Sequence, residues 1–160
     1  MTTVARMQIE FQLSLLKLEQ AKRIADINQH FRSLRYEARN ELADKIAKIS
    51  KVYHDVININ KQQRQSLWVE KCRLEGATPV DVDAIADNRA EHNELKRQAR
   101  VLTTQLDADI KELKRNYSKT KAELTADEPR QLLAVAEDIA QRRQGLIDEI
   151  ASLDEKGGAE

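Results

Sequence analysis

Two long tracts of helix-period apolar residues, separated by one Gly76-Ala-Thr-Pro79 turn, restrict this chain to helices packed on helices. In the first tract apolar side chains recur at Ile24, Ile27, Phe31, Leu34, Ala38, Leu42, Ile46, Ile49, Tyr53 and Val56. The second runs through Leu95, Ala99, Leu102, Leu106, Ile110, Leu113 and Tyr117, and a third set follows at Leu132, Ala136, Ile139, Arg143, Leu146, Ile150 and Leu153. Alternating steps of three and four keep each set on one helix face, which is a seam for another helix. With 34% charged and only 4% aromatic residues, the chain is poor material for a globular core. The expected fold is all-α, a long antiparallel coiled-coil helical hairpin.

Helix breakers mark the boundaries. A first helix over about 3–75 is expected, softened only at Asn58 and Asn60, residues of poor helix propensity. Residues 76–79 form the reversal, with Gly76 in a left-handed cap, Thr78 capping the next helix, Pro79 at its first position and Asp81 returning the capping bond. A second helix then spans about 79–124. Thr125-Ala-Asp-Glu128 repeats the capping pattern and Pro129 interrupts the helix, so a third helix over about 128–153 is expected. That break makes the N-terminal end either a bent hairpin or a three-helix bundle. Residues 1–153 thus form a single helical domain, and residues 154–160, without periodicity, a disordered tail.

If the sides stay in step from the turn, Ile49 lies near Leu106, Ala38 near Tyr117, Val4 near Ile150, and Pro129 meets the first helix near Ala25. Charge favours the fold-back. Residues 1–75 hold 14 Lys/Arg against 9 Asp/Glu, while the remainder holds 13 against 18, so oppositely charged halves face each other.

Chemistry-bearing patterns are scarce. His30, His54 and His92 lie far apart, no Glu-x-x-His pair occurs, and the Asp26/His30 pair at helical spacing is two ligands without a third. No glycine-flanked serine or Gly-rich phosphate loop is present. No enzyme activity, cofactor or metal site is therefore expected. The single Cys72 fits a reducing compartment, no apolar run reaches the roughly 18 residues of a membrane span, and a cytoplasmic protein is expected.

What remains is association. Met7 to Leu15 alternates apolar and polar residues as a strand does, but its residues are mostly unbranched helix formers and no partner strand is evident. As a helix it carries one stripe of Val4, Met7, Phe11, Leu15 and Leu18 and another of Ile9, Leu13 and Leu16, more than one opposing helix can cover. Near the turn, Leu67, Trp68 and Val69 point about 100° apart, so one seam cannot bury all three unless Trp68 closes the tip on Val80, Val82 and Ile85. Ile9, Phe11, Leu13, Leu16, Leu67, Trp68 and Val69 are the candidate protein-interaction residues. A basic belt of Arg32, Arg35 and Arg39 against Lys111, Lys114, Arg115 and Lys119 is the alternative, a footprint for nucleic acid or an acidic partner. Glu37, Glu41, Asp44 and Glu112 interrupt it. The leading expectation is a structural or interaction protein that binds itself or a helical partner.

Overall fold

The structure, a computed structural model, describes residues 2–158. Helix α1 runs Thr2–Glu75 and helix α2 Val82–Gly157, and the two pack against each other as an antiparallel hairpin with no strand among the described residues. The alternating Met7–Leu15 segment is helical. Neither Gly nor Pro occurs in α1, which continues through Asn58 and Asn60 without the expected weak point.

The turn is longer than the sequence implied. Gly76 N–H donates to the Cys72 carbonyl at 3.2 Å and Ala77 N–H to that of Leu74 at 3.4 Å, closing α1 without a left-handed residue. Asp81, expected at the third position, is itself the N-cap: its Oδ1 accepts from Ala84 N–H at 3.0 Å and its carbonyl from Ile85 N–H at 3.2 Å. A carboxylate beside the exposed N–H groups and positive end of α2 is favoured there over the Thr78 hydroxyl. Thr78 and Pro79 are left in the turn.

The separate third helix is not formed, because α2 passes straight through Pro129. A proline inside a helix removes one hydrogen bond and costs about 3 kcal/mol. Packing on both sides of it supplies compensation: Leu124 is half-buried, Glu128 pairs with Arg35, and Leu132 and Val135 resume the seam. Thr125 does not cap; its hydroxyl donates back to the Lys121 carbonyl at 2.8 Å. The helix also continues past Leu153 to Gly157, so residues 154–157 are not a disordered tail, while 159–160 lie outside the described residues.

The chain divides into two compact units, one of Met1–Ala38 with Lys119–Glu160 and the other of Arg39–Ser118. In the first, Leu16, Val135 and Ile139 form the buried cluster, flanked by Ile24, Ile27 and Leu146, and Phe31 is 2% exposed. Val135, not the expected Ala136, faces the seam. Cross-helix ion pairs line this unit: Arg6–Asp154 at 3.2 Å, Arg23–Asp138, Arg35–Glu128, and a two-pronged Arg142–Glu19 contact at 2.6 and 2.9 Å. All but the last place the cation on α1 and the carboxylate on α2, as the charge asymmetry of the halves requires. The Arg142 guanidinium lowers the Glu19 pKa, and the Arg23 hydrogen bond lowers that of Asp138.

Gly145 leaves this seam loose. A Cβ there would meet nothing within 4 Å, and cavities of about 440 and 580 Å³ adjoin it. Because its φ is not positive, Gly145→Ala should raise stability by about 1 kcal/mol through helix propensity alone. An unchanged or lower urea midpoint would show that the gap has another role.

Among the described residues the helices of the second unit are joined by hydrogen bonds rather than ion pairs. Tyr53 donates to Asp109 Oδ2 at 2.7 Å, a bond that raises the tyrosine pKa. Asn60, 5% exposed, donates from Nδ2 to the Leu95 carbonyl at 2.9 Å, and Asn88, 7% exposed, donates to the Leu67 carbonyl at 3.0 Å. The bonds are reciprocal: each acceptor lies one heptad beyond the opposite asparagine. Leu74 and Leu106 are buried apolar residues of this unit, and after Tyr53 the α1 seam passes to Ile57, leaving Val56 outside.

Candidate interaction surfaces

Tracing α1 backward from Phe31 in steps of three and four leads through Ile27, Ile24, Gln20, Leu16, Leu13 and Ile9. All are half-buried or buried, so Ile9, Leu13 and Leu16, expected on an association face, form the intrachain seam instead. Their partners also differ from expectation. Arg35 meets Glu128, Arg23 meets Asp138 and Arg6 meets Asp154, each about two turns beyond the residue that equal stepping from a 76–79 turn would place opposite. Near the turn, where Asn88 meets Leu67, the expected register holds to within a residue.

With the inner face assigned, the outer face stands uncovered. Val4, Met7, Phe11, Leu15 and Leu18 are 62, 62, 65, 47 and 68% exposed. At 3.6 residues per turn this stripe lies roughly 170° from the Ile9/Leu13/Leu16 stripe, so α2 cannot touch both. Of these residues only Phe11 was singled out as an interaction residue from sequence. The signal that identifies the others is phase: their stripe continues into Lys22, Ala25, Gln29 and Arg32 and loses its apolar character, whereas the inner stripe runs on into Phe31.

Near the turn, Leu67 is half-buried and its carbonyl holds Asn88, while Trp68 is 59% and Val69 67% exposed. Val80 and Val82 are also exposed, so Trp68 does not close the tip on them. The Lys71 ammonium lies 5.2 Å from the centroid of the indole.

Of the basic-belt residues, one is engaged across the helices. Arg35, expected opposite Lys119, is paired with the largely buried Glu128 carboxylate. In the same unit Arg32 and Lys119 are exposed. Arg39, Lys111, Lys114 and Arg115 belong to the other unit, all exposed, with Arg115 3.8 Å from Glu112.

No family model, curated protein or solved structure matches this chain. The surfaces must be read from their own chemistry. Among the described residues no cluster of His, Cys, Asp and Glu has the geometry of a metal site, and no helix is long and apolar enough to cross a membrane.

Proposed function

We infer that the chain is a non-enzymatic coiled-coil structural or assembly protein that pairs with a second copy of itself through the outer face of α1. The observation supporting this is the exposed stripe of Val4, Met7, Phe11, Leu15 and Leu18, opposite the seam already in use. Its spacing is the same read in either direction. An antiparallel partner therefore sets Val4 against Leu18, Met7 against Leu15 and Phe11 against its own copy, the self-complementary contact of a two-fold dimer. Ten such side chains, at roughly 60–120 Å² each, bury about 600–1,200 Å², the low end for a specific interface, so pairing should depend on concentration.

Light-scattering mass across a concentration series tests this reading. The unmodified chain should shift from monomer to dimer, and Phe11→Gln with Leu15→Gln should hold it monomeric while leaving helicity intact. Leu133→Gln, at an exposed position on α2, should leave dimerisation unchanged. A chain that stays monomeric throughout, or a double variant that dimerises as before, would overturn it.

A further inference from the structure

In the Arg39–Ser118 unit, α1 and α2 border two adjoining cavities that share Lys96. One, of about 280 Å³, is lined by Trp68, Lys71, Arg89, His92, Asn93 and Lys96 among others. The second, of about 670 Å³, adds Arg64, Arg100, Thr103 and Thr104. Neither is lined by a carboxylate. That is a strong bias in a chain with 27 basic and 27 acidic residues.

Two nearby acids are committed elsewhere: Glu70 to Arg73, and Glu94 to Arg97, whose hydrogen bond pulls the Glu94 pKa down to about 2. Lys71 has a 3.7 Å contact with Glu75 and lies 5.2 Å from the Trp68 ring centroid. Among the described residues Arg64, Arg89, Lys96 and Arg100 have no carboxylate within ion-pair distance, and the Arg64 Nε is buried without a hydrogen-bond partner. Like charges gathered on one face, with an unsatisfied guanidinium N–H among them, lower their free energy by taking up an anion.

The spacing is that of a track. Arg89, Lys96 and Arg100 follow one stripe of α2, with Asn93, Thr103 and Thr104 as further donors, and Arg64, Trp68 and Lys71 follow a stripe of α1. Trp68 supplies an exposed aromatic surface beside the cations. A positive groove with an aromatic platform is the arrangement that holds a phosphate while a base stacks. We propose that this groove binds a phosphate-bearing aromatic ligand of the nucleotide class, with the base on Trp68 and the phosphates on Arg89, Lys96, Arg64 and Arg100. The site shares no residue with the sequence-inferred belt or with the α1 outer stripe, so it stands independently of dimerisation.

Trp68 is the chain's one tryptophan, and its fluorescence reports on the groove directly. The full-length chain is titrated at ~50 mM salt with ATP, with an oligothymidylate and with inorganic phosphate. ATP or the oligonucleotide should quench Trp68 saturably, and inorganic phosphate should compete without quenching. Lys96→Glu should weaken binding by ~10-fold or more through loss of an attraction and gain of a repulsion, with helicity unchanged, whereas Arg32→Glu should have no effect. Tighter binding of the oligonucleotide, with a log-log salt slope of about −0.7 per phosphate held, identifies a single strand as the source; equal affinities identify a free nucleotide. No saturable quenching by either ligand, or unchanged affinity in Lys96→Glu, would overturn the proposal.

Discussion

Phe31→Ala should lower the free energy of unfolding by about 3–5 kcal/mol, the largest loss available from one apolar position in this chain. Phe31 is 2% exposed, the most deeply buried large side chain among the described residues, and its ring meets that of His30 edge-on at 5.6 Å between centroids. A thin two-helix seam has no second layer to collapse into the vacancy, so lost transfer energy and residual cavity both count. Tyr36 on the same helix is 67% exposed, and Tyr36→Ala should change stability by about 0.5 kcal/mol at most. Urea unfolding followed by helical circular dichroism distinguishes them. Similar losses for both would mean that Phe31 is not the packing centre of its unit.

Replacing Asn60 and Asn88 together by Leu should raise stability while loosening the pairing of the helices. Each asparagine is buried and makes one cross-helix bond, but Asn60 Oδ1 has no partner, a deficit worth about 1–3 kcal/mol. Leucine removes that deficit and adds about 1.5–3 kcal/mol of apolar burial per site. The reciprocal bonds to Leu95 and Leu67 satisfy only one register, and with leucine in both places a heptad slip leaves the seam equally apolar. Spin labels at Gln63 and Arg97 should report one narrow distance in the native chain and a broadened or split one in the double variant. A more stable variant with one unchanged distance would show that register is set elsewhere, by the turn or the ion pairs.

The cross-helix ion pairs are a different kind of fastening. Glu19, Asp138 and Arg142 remain substantially exposed, and pairs of this sort orient helices more than they hold them. They occur in the unit where the seam is looser, around Gly145, whereas in the unit with buried asparagines no ion pair joins the two helices among the described residues, and cations stand unpaired along its groove. Two ways of specifying one pairing thus coexist along the same helices.

Sequence alone determined that α1 exists, that the helical chain reverses direction around the 76–79 region, and that the central seam passes through Leu42, Ile46, Leu102 and Leu106. Helical periodicity and the scarcity of Gly and Pro are local properties, legible without knowing the partner. Tertiary structure decided the rest. Pro129 signals a break locally, but packing through Glu128 and Val135 on either side carries the helix across it. Asn58 and Asn60 look alike as poor helix formers, and only the opposite helix makes Asn60 a buried donor. Two apolar stripes occupy the first turns of α1, each a competent seam by periodicity. Which became the inner face depended on phase with Phe31 and on what stood across from it, because a stripe records that a helix will be covered and carries no information about which helix covers it.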